Sequence, residues 1–330
     1  MRYLILVLSF ISCSEDNEEP KYIESDKILI AFQNTRKVYY FLEDSQKFYF
    51  LFNSGDVPNQ FILGNNEIFL INSGGFTGSP SIQRYDLKNN SLSTFPLDNA
   101  LNPLFGVYDN EKIYFTDFGK YYSEKIYIFK NQLIDSLAVS NRPIDIKLCA
   151  NFLIVSTNGM RSDYSYDTIS KVFKISKNLQ KIDSLIVFPG ASNIEVIGDI
   201  VFLVSTGIYN QTPARIYKID CLNFKKIDSI TISRNIYSSG VSSEYLILGS
   251  WDGWIYVLNH NLTILDSFKI SHSINFIHSF ENKFYIAVNG FSHNPNYLII
   301  YSPFVKADSF KFSDEDLGIG PIFYLKQFIQ

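Results

Sequence analysis

A four-residue phrase, apolar–Asp–Ser–apolar, returns five times along this chain: Ile134-Asp135-Ser136-Leu137, Ile182-Asp183-Ser184-Leu185, Ile227-Asp228-Ser229-Ile230, Leu265-Asp266-Ser267-Phe268 and Ala307-Asp308-Ser309-Phe310. The aspartates lie 48, 45, 38 and 42 residues apart, and a degenerate copy, Leu92-Ser93-Thr94-Phe95, stands 42 residues before the first. Self-similarity at that period belongs to arrays of four-stranded units, in which no unit can bury its apolar face alone. The repeat therefore constrains the whole chain to an architecture of stacked or radially arranged sheets.

Reading upstream from each phrase, short apolar strands alternate with Asn, Gly, Asp and Ser turns. One unit runs Asp145 to Cys149, Phe152 to Ser156, Lys171 to Ile175 and Ile182 to Val187; the next runs Asn193 to Ile197, Val201 to Ser205, Arg215 to Ile219 and Ile227 to Ile232. Six such units are complete. The first segment holds only three strands, Ile28 to Phe32, Val38 to Phe41 and Phe48 to Phe52, and the last, Ile322 to Phe328, is a strand without partners of its own. Together they make a seventh unit, which predicts an all-β, seven-bladed β-propeller of four-stranded antiparallel blades, closed by the C-terminal strand. Closure of this kind leaves no open end to invite association.

The repeated Asp has a structural reading. It falls on the outermost strand of each blade, an edge where a carboxylate discourages pairing with another chain. Residues two and four positions beyond it, such as Leu185 with Val187, are apolar and predict the buried face. With 46% hydrophobic and 16% aromatic residues, dominated by Phe and Tyr, the composition suits pleated strands. The net charge of −4, without a basic run, excludes an electrostatic footprint for nucleic acid.

The N-terminus reads as an address. Met1-Arg2 precedes the apolar stretch Leu4 to Ile11, too short for a membrane span but suited to the core of a signal peptide. Phe10-Ile11-Ser12-Cys13 resembles a bacterial lipoprotein box, with Phe10 where Leu is usual. The resemblance implies a signal peptide over residues 1–12, lipid attachment at Cys13, and a mature chain whose net charge, without Arg2, is −5. Residues 13–26, with Ser14-Glu15-Asp16-Asn17-Glu18-Glu19-Pro20, read as an acidic, solvated tether, and residues 27–330 as the propeller domain. The acidic run also resembles the export signal of Bacteroidetes-type lipoproteins displayed on the outer face of the outer membrane; a plain spacer, or retention on the periplasmic face, is the alternative. Cys149 and Cys221 fall in different units, on an inner and an outer strand by this alignment, and read as buried free thiols.

Several phrases are similar to the YVTN or YncE-like propeller family: Pro58 to Gly64, Ile68-Phe69-Leu70-Ile71-Asn72-Ser73-Gly74, Phe284-Tyr285-Ile286-Ala287-Val288-Asn289-Gly290 and Ile216-Tyr217-Lys218-Ile219-Asp220. Trp251-Asp252 falls between the second and third strands of its unit, not at the end of the third, so it does not read as a WD repeat.

The connections are unequal. First-to-second strand turns are tight, as at Asp109-Asn110-Glu111, whereas second-to-third connections run long, as over Thr157 to Ser170 and Asn289 to Asn296. In a propeller these long loops share one end of the ring with the links between blades, and that end is where a binding surface is expected. The candidate ligand-binding residues there are Tyr122, Arg161, Tyr164, Tyr209, Trp251, Asp252 and Phe291 in the loops, with Arg142 and Arg234 in the links. Stacking rings interleaved with guanidinium and carboxylate groups suit a small molecule, a glycan, a corrinoid or a protein partner. The spacing of His272, His278 and His293 gives no recognised metal set, and no cofactor motif, nucleophile elbow or phosphate loop is present. Asp145, Lys147 and Glu195, on inner strands, are expected to line the channel. The favoured reading is a non-enzymatic surface lipoprotein that captures a ligand or partner, beside an outer-membrane transporter. The alternatives are a carbohydrate-active hydrolase or lyase using channel carboxylates, and an envelope protein-interaction scaffold.

Overall fold

The computed structural model describes residues 26–119, 124–160, 165, 167–209, 211–270, 272–290, 296–312 and 318–325. Its strands form seven four-stranded antiparallel sheets. The first three strands are β1 (Lys27–Phe32), β2 (Lys37–Leu42) and β3 (Lys47–Asn53). Blade 2 is β4 (Pro58–Leu63), β5 (Glu67–Asn72), β6 (Ser81–Asp86) and β7 (Ser91–Pro96), and blade 3 is β8 (Pro103–Asp109), β9 (Lys112–Asp117), β10 (Lys125–Phe129) and β11 (Leu133–Ala138). Blade 4 is β12 (Pro143–Cys149), β13 (Phe152–Thr157), β14 (Ser170–Ser176) and β15 (Lys181–Val187); blade 5 is β16 (Ala191–Ile197), β17 (Ile200–Ser205), β18 (Ala214–Asp220) and β19 (Lys225–Ile232). Blade 6 is β20 (Ile236–Val241), β21 (Tyr245–Ser250), β22 (Trp254–Asn259) and β23 (Ile264–Lys269), and blade 7 is β24 (Ser273–Phe280), β25 (Lys283–Asn289), β26 (Tyr297–Ser302) and β27 (Lys306–Lys311). The last strand, β28 (Ile319–Leu325), pairs with β1 and completes blade 1 in the order β28-β1-β2-β3.

The seven-bladed propeller expected from the repeat is therefore the fold. The closing strand begins three residues earlier than the expected Ile322, with Ile30 opposite Ile322 and Leu29 opposite Phe323. Inner strands touch their neighbours all the way round, from β28 to β4 and on to β24 and back to β28.

The core is divided among seven apolar clusters, one at each blade interface. Ile154, Val172, Leu203 and Phe224 join blades 4 and 5, for example, and Phe41, Tyr285, Phe310 and Ile322 join blades 7 and 1. Second strands are covered on both faces, which explains their unbroken apolar runs, Phe-Leu-Ile-Val in β13 and Val-Phe-Leu-Val in β17. Fourth strands are largely exposed.

On those outer strands the repeated Asp has a local role besides guarding an edge. The carboxylates of Asp135, Asp183, Asp228 and Asp266 each accept a hydrogen bond from the following serine N–H, at 2.7, 2.7, 2.7 and 2.8 Å. Each of these four aspartates stands at a bulge, where the ladder with the third strand shifts register. A bulge leaves one residue out of the ladder, and a short carboxylate is well placed to accept the N–H. The apolar residues beyond turn inward as expected, with Val139, Val187, Ile232 and Phe312 buried.

The cysteine expectation is corrected. Cys221 lies in the turn after β18, not on an outer strand, and it meets Cys149 at the end of β12 in a disulfide across the blade 4–5 interface, with Cα atoms 6.2 Å apart. Contacts between blades do not show in the repeat of a single blade. The ring brings the foot of one blade's first strand against the third-to-fourth turn of the next.

Deleting residues 319–330 removes the ladder to β1 and uncovers Ile28, Ile30 and Phe32. The buried side chains Ile319, Ile322 and Leu325 alone contribute on the order of 1.5–3 kcal/mol each, so the truncated protein is expected to unfold at much lower denaturant concentration, or to associate through β1. Chemical denaturation and light scattering of the two forms check this; matching transitions would contradict the closure.

Candidate functional site

The end of the ring bearing the second-to-third loops carries one well-defined constellation, on blades 5 and 6. The turn Trp251-Asp252-Gly253 joins β21 to β22. Gly253 adopts φ 85°, and a Cβ there would stand 2.4 Å from the Ile270 carbonyl oxygen, so only glycine fits this tight turn. Asp252 is held from both sides: its Oδ1 accepts from the Ser250 hydroxyl at 2.7 Å, and its Oδ2 pairs with the Arg234 guanidinium at 2.6 Å. Arg234, in the link before β20, also lies 5.6 Å over the Trp254 ring. Both partners of the ion pair are more than 40% exposed, so it orients the two side chains and adds little stability.

Beside this pair stand two exposed rings. Trp251 is 48% and Tyr237 41% exposed, and their centroids are 5.6 Å apart at an interplanar angle of 60°. Tyr237 is the second residue of inner strand β20, and its carbonyl accepts from the Asn193 amide of β16. The rings therefore sit at the rim where the channel opens. Tyr209, in the β17–β18 connection, is 68% exposed on the neighbouring blade.

Of the residues expected on this face, Tyr209, Trp251, Asp252 and Arg234 occupy its surface. Arg142 is placed differently: it is buried, with its guanidinium 4.7 Å over the buried Phe118 ring, so it packs the link against blade 3. Tyr122, Arg161, Tyr164 and Phe291, like Cys13, lie outside the described residues. Tyr237 was missed because it begins a strand read only as an inner blade element; its exposure follows from standing at the long-loop end of that strand, where an aromatic side chain meets the mouth.

Within the channel, side chains from four blades converge. Lys147 of β12 lies 3.6 Å from Asp145, whose other oxygen accepts from the Ile194 N–H of the next inner strand at 2.8 Å. The Glu195 carboxylate of β16 accepts from the Ser239 hydroxyl of β20 at 2.8 Å. His278 of β24 rests against the Phe323 ring, centroids 4.8 Å apart. Burial opposes the charge on Lys147, but Asp145 and Glu195 outweigh it and the pKa rises. Burial lifts Glu195 to about 7, with Lys147 opposing and Asp145 reinforcing the rise. Burial and the nearby Lys147 lower His278 to about 4. The expected channel trio thus stands together, joined by Ser239 and His278, which the sequence reading had not placed there.

The raised Glu195 carboxyl makes a stability prediction. The folded protein holds this proton above the pH at which the unfolded chain releases it, so the contribution is complete below about pH 4.5 and is lost as pH rises through 7. Compared with a Glu195→Gln variant, the wild type should lose stability between pH 5 and pH 8. Denaturant midpoints of both forms at the two pH values check this; a constant difference would place an ordinary carboxyl there.

No protein-family model matches the sequence, and comparison with the curated proteins finds no relative. The fold does resemble solved structures. A protein of unknown function from Desulfotomaculum acetoxidans superimposes with TM-score 0.66 at 12% identity, covering 92% of this chain and 99% of that one. Hydrazine synthase from Kuenenia stuttgartiensis gives 0.65 at 11% identity over 83% and 91% of the two chains. Apo AztD from Citrobacter koseri gives 0.56 at 10% identity over 92% and 99%. At such identities the likeness is one of fold.

Proposed function

We propose that this protein is a lipid-anchored propeller of the bacterial cell surface that captures a ligand or protein partner at the mouth formed by Tyr237, Trp251 and the Arg234–Asp252 pair, working beside an outer-membrane transporter. The observation that carries the binding reading is the exposed Tyr237–Trp251 pair beside an oriented cation and carboxylate at the channel rim. Two inclined rings offer stacking area at small entropic cost, and the ion pair supplies donors and acceptors in fixed positions. This chemistry suits the face of a sugar or a corrinoid macrocycle. The neighbours' roles do not choose among ligands: one is a hydrazine synthase, and another, the dihydro-heme d1 dehydrogenase NirN, was solved in complex with DHE.

The chain's two tryptophans, Trp251 and Trp254, both stand at this mouth, so intrinsic emission reads the site directly. Titration with oligosaccharides and cobalamins should reveal a ligand that changes the emission. Replacing an aromatic hot-spot contact costs about 2 kcal/mol, roughly thirtyfold in affinity. Tyr237→Ala, which keeps both reporters, should weaken binding by that order, and Trp251→Ala should do the same by calorimetry. Asn65→Ala and Asn282→Ala, on the tight-turn end, should leave it unchanged. The reverse pattern would refute this mouth.

The anchor is tested separately. Wild-type protein should fractionate with membranes and carry a lipid on Cys13 by mass spectrometry, and Cys13→Ser should release it. Equal solubility of both forms would remove the anchor and with it the surface location. A hydrolase or lyase remains the second reading, supported by Glu195, whose carboxyl is raised to about 7 beside Asp145. Its mark would be glycan turnover abolished in Glu195→Gln.

A further inference from the structure

The opposite end of the ring holds a feature that the repeat does not share among its copies. In every blade the turn into the fourth strand contains a residue with positive φ, four positions before the motif aspartate where that motif is present. In blades 1 to 7 these are Gln46, Asn90, Asn131, Leu179, Phe224, Leu262 and Phe304, with φ of 55°, 50°, 61°, 58°, 49°, 59° and 62°. Leu179, Phe224 and Leu262 are buried, and each belongs to the cluster between its own blade and the preceding one. These residues plug the interfaces 3–4, 4–5 and 5–6 from below.

Blade 3, like blades 1 and 2, has a polar residue at the plug position. Its turn from Ile128 to the paired Asp135 is shorter than those from Lys174 to Asp183 and Val257 to Asp266, and Asn131 stands at the plug position. A cavity of about 260 Å³ opens there between blades 2 and 3, with Asn131 in its wall. Phe69, Ile113 and Phe129, all buried, and the Tyr108 ring, stacked 5.9 Å from Phe69, form an apolar floor beneath walls of charged and amide side chains. Its polar groups balance: Arg84 Nε is 3.5 Å from Glu67, and Lys130 Nζ is 2.6 Å from Glu111.

Arg84 sits where blades 4 and 5 have a latching lysine. Lys174 donates to the Leu222 carbonyl at 2.7 Å and Lys218 to the Asn261 amide oxygen at 3.5 Å, each in the third-to-fourth turn of the next blade. Arg84 makes the same reach to Asn131 Oδ1 at 3.1 Å with one of its nitrogens. A guanidinium has five donors, so it keeps capacity for a carboxylate ligand after making the latch. Burial raises the Glu67 carboxyl, with Arg84 opposing, and a ligand ammonium would act in the same sense as Arg84.

We propose that this cavity is a second binding site, for a free aromatic amino acid, its ring against the lining, its carboxylate on Arg84 and its ammonium on Glu67. The near-zero net charge of the rim disfavours a polyanion, and the apolar floor beside paired charges suits a zwitterion that carries a ring. A ligand of this size binds with Kd of about 1 mM.

Calorimetric titration with L-phenylalanine tests this. The free amino acid should bind, and N-acetylphenylalanine and phenylalanine amide should bind at least tenfold more weakly. Asn131→Leu, which places at φ 61° the residue that Leu262 carries at 59°, should abolish binding without lowering the melting temperature. Lys130→Ala, on the exposed rim, guards against misfolding of the first variant and should weaken binding severalfold. Tryptophan emission should stay constant, because both tryptophans lie at the other end of the ring. Absence of binding, equal affinity for the blocked derivatives, or binding unchanged by Asn131→Leu would overturn the proposal, as would an emission change lost in Tyr237→Ala.

Discussion

Each blade of this protein buries its apolar side chains only against the blades on either side, so no blade is stable alone, and the ring depends on the joint between β1 and β28. At the other interfaces the connecting link holds neighbouring blades together. The interface between blades 7 and 1 must be closed by pairing, and β28 does so by lending blade 1 an innermost strand that follows blade 7 in sequence. The rings of Phe41 and Phe310, with centroids 4.7 Å apart, and of Phe32 and Phe312, 4.9 Å apart, pack the same seam. Outside the core, Lys283 and the Tyr285 hydroxyl both reach Glu43 at 2.8 Å. Closure and packing are one cooperative event.

Hydrogen bonds between inner strands repeat this logic round the channel. Gln60 accepts from the Gly106 N–H, Asp145 from the Ile194 N–H, Asn193 donates to the Tyr237 carbonyl and Asn275 to the Ile319 carbonyl. Each bridges residues about one repeat apart in sequence, so the period of the motif is also the period of the contacts. An inner strand has an unpaired edge facing the channel, and these side chains satisfy backbone groups that a sheet neighbour would otherwise take.

The blade count was legible because the period, the tight turns and the unequal ends all point to one answer. The closing strand was read three residues late. Gly318, Gly320 and Pro321 look like turn punctuation, yet an inner strand, paired on one side only, accepts proline, as Pro58, Pro103 and Pro143 also show. The disulfide was missed because contacts between blades are invisible to an alignment that stacks one blade on another. The long-loop end of the ring was legible from loop length, and with it the placement of Trp251, Asp252 and Arg234 at the surface of that end. Arg142 misled because link residues divide between those that point out and those that pack, and sequence does not say which: the ring of Phe118 waits beneath Arg142 and none was foreseen.

The candidate sites stand where the copies differ. Seven-fold repetition makes most positions interchangeable, and a feature shared by every blade is explained by packing. The Trp-Asp-Gly turn and the Lys147–Glu195 cluster each occur in one sector of the ring, and the cavity beside Asn131 opens at one of the joints that lack an apolar plug. Each also departs from what the repeat would place there: exposed rings in a tight turn, ionisable groups on inner strands, an amide where leucine seals the joint. Local choices that work against packing persist when something else requires them, and a repeat protein supplies its own control, because the neighbouring blades show what the same backbone carries when packing alone decides.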